Sequence, residues 1–293
     1  MWIELHSDCN LKCVMCPNKD LDKTQRGAMD WDVFKKVVDE AKDFIFDLTL
    51  NHRGESLLHP DAVKFIRYAS KKIKFTKLHT NGVLLDKDTI SGIVESGLKR
   101  ISFSFDGFEK EDYEKIRVGA NFDEVVNNIK NLLIFRNKNK KKYPVVAIEV
   151  IELNKSQVKK EKKKKFIEEF KKIGPNELII KKPHNWAGYI STKYKKKKYA
   201  PCTFLWNAIL ILWNGDVSPC SQDFFAKYII GNVKEKNIQE TWNDEPIKKL
   251  RKGLIDKKYE DFPACKNCDR LWRDTFLGIP KEYLKQIMLH KMS

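Results

Sequence analysis

The stretch HSDCNLKCVMCPN, residues 6–18, sets Cys9, Cys13 and Cys16 within eight residues, directly after the short apolar run WIELH. A tetrahedral structural metal site takes four protein ligands, so a local trio either draws a fourth from far away or leaves one metal position open. An open position on a bound metal is a place for chemistry. What surrounds the trio decides between the two.

Working outward, the run before the trio is the first of six with strand length, at 2–6, 45–50, 75–79, 100–105, 144–151 and 177–181. Between them apolar residues recur at helical spacing, as in Trp31, Phe34, Val37, Val38 and Ala41, or Val125, Val126, Ile129, Leu132 and Leu133. Alternating strand and helix predicts an α/β fold with a parallel sheet and right-handed crossovers. Six units give an open, partial (β/α)6 TIM-like barrel or a doubly wound sheet, and in both a ligand sits at the carboxyl ends of the strands. Those ends carry, in order, the cysteine trio, NHRGES at 51–56, Thr80 to Gly82, Asp106 and Gly107, Asn154, and PHNWAG at 183–188. Singly each is ordinary turn chemistry. Together with three metal-type cysteines on one face, they predict a site.

Composition limits the class of protein. A chain of 293 residues with 42% hydrophobic content can bury a large core. The first residues lack the basic and apolar regions of a signal peptide, and no run reaches eighteen apolar residues, so the expectation is a soluble cytoplasmic protein with no membrane partner. Seven cysteines in a reducing compartment favour metal over disulfides. The net charge of +17 is concentrated in QVKKEKKKKF (157–166) and YKKKKY (194–199), where Lys dominates over Arg. The first run lies beside Phe166, Ile167, Phe170 and Ile173 at helical spacing, which predicts a solvated face and no nucleic-acid partner. The second marks a lysine-rich linker over 189–200.

All four remaining cysteines lie beyond that linker. Cys202 and Cys220 flank ILILWNGDVSPC (209–220), which reads as a hairpin with Asn214 and Gly215 as a positive-φ pair at its turn. An amphipathic helix follows around Trp242, Ile247 and Leu250, and then Cys265 and Cys268 complete four thiolates, enough for zinc or a closed iron–sulfur cluster.

Cys9, Cys13 and Cys16, at this spacing and after a first strand, resemble the signature of the radical S-adenosylmethionine enzymes, over about residues 1–185. The resemblance implies that three thiolates hold three irons of a [4Fe-4S] cluster while S-adenosylmethionine chelates the fourth. A zinc trio with a remote fourth cysteine would leave the strand-end loops without a role. Gly54 and Glu55 resemble the family's Gly-Glu pair, which receives the methionine ammonium, with Ser56 where a proline is usual. Ser104 and Asp106 are similar to the fourth-strand residues near the ribose and methionine carboxylate, and Asn154 to a fifth-strand ribose contact. Met15 stands where many members carry an aromatic residue and is expected against adenine or in the core. The later cysteines resemble the twitch form of the SPASM module, which implies one auxiliary [4Fe-4S] cluster, with a zinc staple as the rival. The domains expected are a barrel over 1–188, the linker 189–200, a twitch/SPASM-like unit over 201–275 and a helical tail over 276–293.

What the resemblance implies for activity is hydrogen abstraction from a small polyol, sugar or cyclitol, with the auxiliary cluster accepting an electron. Such an oxidoreductase needs an external one-electron reductant such as flavodoxin or ferredoxin. It also needs a proton acceptor, for which His184 and Arg53 are candidates by position. With no recognition domain ahead of the first strand, a peptide-modifying maturase is the lesser expectation, alongside a redox-neutral epimerase or eliminase. A zinc-stapled nucleic-acid-binding protein would leave the trio unused.

Overall fold

Several helix starts in this chain are set by polar caps, and helix faces by apolar spacing. In α1 (Trp31–Ala41) the Asp30 carboxylate accepts hydrogen bonds from the Asp32 and Val33 amides, while Phe34, Val37, Val38 and Ala41 are buried. Asp86 and Asn121 cap α3 (Lys87–Glu95) and α5 (Phe122–Lys138) in the same way, while α2 (Ala62–Lys72) and α4 (Lys110–Ile116) start without a side-chain cap and α6 is Lys160–Ile173. The computed structural model describes residues 1–152, 160–181, 183, 185–191, 198–276 and 279–281.

The helices alternate with six parallel strands: β1 (Trp2–Ile3), β2 (Asp47–Thr49), β3 (Phe75–Thr80), β4 (Arg100–Ser104), β5 (Val145–Ile151) and β6 (Glu177–Lys181). Their order in the sheet is sequential and does not return on itself, so the barrel is open. One face of the sheet packs Ile3, Leu48, Leu78, Ile101, Phe103, Val146, Ile148 and Val150 into the core. The alternate positions are polar: Asp47, Lys77, His79, Ser104, Glu149 and Lys181 line the lumen. A lumen so lined admits water and ligand, unlike the side-chain-filled interior of a closed barrel.

The lysine run of 160–165 is the outer face of α6, whose Phe166 and Phe170 are buried. Its ammonium groups pair with Glu109, Glu152, Glu168 and Glu169. Among the described residues no helix is long and apolar enough to cross a membrane.

Beyond residue 198 the chain adds α7 (Phe204–Asn207), β7 (Leu210–Ile211), β8 (Asp216–Ser218), β9 (Gly231–Asn232), α8 (Ile238–Trp242) and α9 (Glu245–Ile255). The expected hairpin is β7 and β8. Its turn differs from the expectation of a positive-φ pair, because of these two residues only Gly215 has positive φ, +93°. The Gly215 amide bonds the Leu212 carbonyl and the Leu212 amide bonds the Asp216 carbonyl, which makes a three-residue loop with a bulge. The hairpin is also not separate from the barrel. β7 pairs in parallel with β1, extending one sheet to nine strands in the order β6-β5-β4-β3-β2-β1-β7-β8-β9. Where a helical tail was expected from 276, Thr275–Phe276 pairs antiparallel with Ile279–Pro280, and residues 282–293 lie outside the described residues. Of the expected linker, 192–197 lies outside them as well.

Candidate cluster and cofactor sites

The cysteine trio hangs in a loop that β1 launches and distant residues tie down. Asn18 donates from Nδ2 to the carbonyls of Ser7 (2.7 Å) and Arg53 (2.9 Å), and Arg26 pairs with Asp8 at 2.8 Å. The loop after β2 rests directly on it. A Cβ on Gly54 would lie 2.2 Å from the Asp8 carbonyl oxygen, and the Glu55 amide bonds that same oxygen at 2.8 Å. Glycine here is what lets the two backbones touch.

Glu55 is thereby held beside the trio. Its carboxylate accepts from the Asn81 amide (2.8 Å), the Thr80 hydroxyl (3.0 Å) and the Leu57 amide (3.1 Å). Burial pushes its pKa up against these donors, so a cation arriving next to it would relieve the desolvation. Asn81 also spans to the trio, with Nδ2 2.8 Å from Asn10 Oδ1 and 3.9 Å from Cys9 Sγ.

The thiols themselves fit a bound cluster. Desolvation pushes Cys9 up to about 12 and raises Cys13 and Cys16, while the Leu11 amide, the Arg117 guanidinium and the Asn18 amide each pull one of them down. Thiols this buried become thiolates only against a compensating cation, which iron supplies. Arg117, unassigned by the sequence reading, is buried with Nη1 3.9 Å from Cys13 Sγ and Nη2 2.5 Å from Asp106. The other Asp106 oxygen accepts the Ile151 amide at 2.7 Å, so each oxygen of this carboxylate has a partner. Ser104 and Asp106 both line the lumen, Met15 is half-buried, and Asn154 lies outside the described residues.

The second set closes on itself. Cys202, Cys220, Cys265 and Cys268 line one cavity with Leu205, Pro219, Tyr228, Leu250, Phe262 and Leu271. Burial first, then mutual repulsion, drives Cys220 and Cys265 well up; burial takes Cys268 to about 12. Four thiols around an apolar cavity are the donor set of a fully ligated cluster. Asn185, from the PHNWAG loop, fastens this pair to the barrel: its Nδ2 bonds the Asn267 carbonyl at 2.7 Å and its Oδ1 accepts the Asp269 amide.

The lumen opens into a cavity of about 800 Å³, lined from the barrel by His52, His79, Ser104 and Glu149 and from the segment after the hairpin by Ser221 and Gln222. Glu149 sits 2.5 Å from Lys181 and 3.8 Å from His79 Nδ1. Desolvation lowers His79 to about 4 despite that carboxylate. Arg53, expected as a proton acceptor, is instead buried in a two-point ion pair with Glu4, both contacts 2.7 Å. A guanidinium so paired anchors its loop. His184 lies outside the described residues.

Residues 3–146 match the radical SAM superfamily, and residues 202–269 match the SPASM iron–sulfur cluster-binding domain. This chain is a radical S-adenosylmethionine protein. The radical SAM domain binds S-adenosylmethionine and a [4Fe-4S] cluster, and the SPASM domain carries the auxiliary iron–sulfur site. The chain is 25% identical, over 92% of its length and 86% of the relative's, to the tungsten-containing aldehyde ferredoxin oxidoreductase cofactor-modifying protein of Pyrococcus furiosus. It is 20% identical, over 92% of both chains, to the S-adenosyl-L-methionine-dependent 2-deoxy-scyllo-inosamine dehydrogenase of Niallia circulans. Among solved structures, BtrN in complex with AdoMet and 2-DOIA matches with a TM-score of 0.61 at 20% identity, over 92% of this chain and 91% of that one. Streptococcus suis SuiB bound to precursor peptide SuiA matches with a TM-score of 0.70 at 17% identity, over 91% of this chain and 70% of that one. The radical SAM fold is thus common to enzymes seen with a small ligand and with a peptide.

Proposed function

We propose that this radical SAM enzyme is an oxidoreductase that dehydrogenates a small hydroxylated substrate, of the polyol, sugar or cyclitol class. The observation that carries the reading is the lumen cavity: its size suits a small molecule, and it is lined by Ser104, Asp106 and His52 from the barrel and by Ser221 and Gln222, which follow Cys220, from the other part of the chain. A substrate bound there would have residues next to the expected cofactor site on one side and residues next to Cys220 on the other. The similarity to a cyclitol dehydrogenase along nearly the whole chain supports the same class.

When bound, reduced cluster and S-adenosylmethionine supply a 5′-deoxyadenosyl radical. Cys9, Cys13 and Cys16 would hold that cluster, and Cys202, Cys220, Cys265 and Cys268 the auxiliary one. Glu55 would receive the cofactor's ammonium, and Ser104 and Asp106, the latter paired with Arg117, would lie near its ribose and methionine carboxylate. Asn154 and Met15 are assigned to ribose and adenine by family resemblance.

A second reading, peptide modification, has the SuiB likeness in its favour. Anaerobic turnover with reduced flavodoxin and ring-deuterated 2-deoxy-scyllo-inosamine separates the two. The expected result is one 5′-deoxyadenosine carrying deuterium per ketone formed. A product of unchanged oxidation level would reject dehydrogenation in favour of epimerase chemistry, and turnover of a co-encoded peptide alone would favour the maturase.

A further inference from the structure

Among the described residues, His52 Nε2 and Gln222 Oε1 are buried polar atoms on residues lining this cavity that show no hydrogen-bond partner. They come from opposite halves of the molecule. His52 lies in the loop after β2, two residues before Gly54. Gln222 follows Cys220, to whose Sγ its amide donates at 3.3 Å, and is 6% exposed. Phe224 holds the His52 ring from behind at 5.7 Å and is itself packed by Trp186 at 5.4 Å. Buried polar groups are nearly always satisfied, so a pair left open toward one cavity marks where a ligand's polar groups go.

Resting on the dehydrogenase reading, we propose that His52 and Gln222 bind two neighbouring hydroxyls of the substrate, and that His52 accepts the proton of the one oxidised. One hydroxyl donates to Nε2 and its neighbour to Oε1, which selects for a vicinal diol or amino-alcohol ring. Desolvation keeps the imidazole neutral, with Arg53 adding to that effect and Glu4 opposing it, so one ring nitrogen is free to accept. The step balances. Conversion of a secondary alcohol to a ketone releases a hydrogen atom from carbon to the 5′-deoxyadenosyl radical, a proton from oxygen to His52 Nε2, and one electron to the oxidised auxiliary iron–sulfur cluster. Gln222, whose backbone amide bonds Cys220 Sγ, would hold the neighbouring hydroxyl on the side of the second cysteine set.

The test uses the full chain with both clusters loaded and 2-deoxy-scyllo-inosamine as probe. Glutamine at 52 can accept a hydrogen bond but not a proton, so His52→Gln is expected to lower kcat about 100-fold and leave KM within about threefold. Gln222→Leu is expected to raise KM about tenfold with kcat kept, the loss of one ordinary hydrogen bond. Calorimetric binding of the probe without reductant gives a readout independent of turnover: affinity falls about tenfold in Gln222→Leu and in His52→Phe, while S-adenosylmethionine binding and iron content stay unchanged. Unaltered kcat in His52→Gln, or unaltered probe affinity in Gln222→Leu, overturns the assignment. Probe that binds through this pair but is never oxidised keeps the hydroxyl site and sinks the dehydrogenase reading. Failure of the unaltered protein to bind the probe rejects both.

Discussion

At the scale of single residues, the first site depends on one missing side chain. Gly54 brings the β2 loop onto the cysteine loop at a distance no Cβ allows, since the Asp8 carbonyl oxygen would be 2.2 Å from it. Gly54→Ala is therefore expected to displace the trio while leaving the second site intact. Iron per reconstituted chain should fall from about eight to about four. An iron content that stays near eight would show that the cysteine loop can yield. Cys9, Cys13 and Cys16 are legible in the sequence because ligand chemistry is written in their spacing. Asn18, Arg26 and Arg117 are not, since each acts by reaching a partner from an ordinary polar position. Arg117 is 104 residues from Cys13, and nothing in IRVGAN marks it. His52 was inside a loop singled out from the sequence, yet only its unpartnered nitrogen sets it apart from a structural histidine.

Elements were more legible than their roles. Each of the six apolar runs contains a parallel strand, four of them shorter than the run, because apolar residues on the helix-facing side fix the register. The lumen escaped because its signal is the opposite one. Lys77, His79, Glu149 and Lys181 break the apolar runs at alternate positions, and that alternation marks an interior meant for ligand and water. The hairpin turn was placed correctly and shaped wrongly: asparagine followed by glycine suits a two-residue turn, but here the bulge needs the left-handed conformation at Gly215. A β-branched residue there meets both the backbone penalty and Asn232 Oδ1 at 2.8 Å from its Cβ. Gly215→Val should cost at least about 1–2 kcal/mol, seen as a lower urea midpoint. An unchanged midpoint would mean that the loop rebuilds as another turn.

Over the whole molecule, strand composition gave no warning that the two cysteine sets share one sheet. β7 is only Leu210–Ile211, too short for a pattern to show its partner, and its bond to β1 spans some two hundred residues. The consequence is mechanical. The Trp2 amide bonds the Ile209 carbonyl at 2.8 Å and the Glu4 amide bonds the Ile211 carbonyl at 2.9 Å, so the strand that launches the trio is braced by the segment between Cys202 and Cys220. Trp213 adds to the brace, with Nε1 bonded to the Gln25 carbonyl at 3.0 Å and its amide near Glu4. Ligand binding to the folded form alone stabilises it. Loss of the second cluster should then weaken the barrel too, not merely the part that held it. In a Cys265→Ala, Cys268→Ala double variant, thermal unfolding should remain a single transition at a lower midpoint, followed by far-ultraviolet circular dichroism and by the absorbance of the remaining cluster. Two separate transitions, with the barrel's own midpoint unmoved, would show that the shared sheet transmits no stability between the sites.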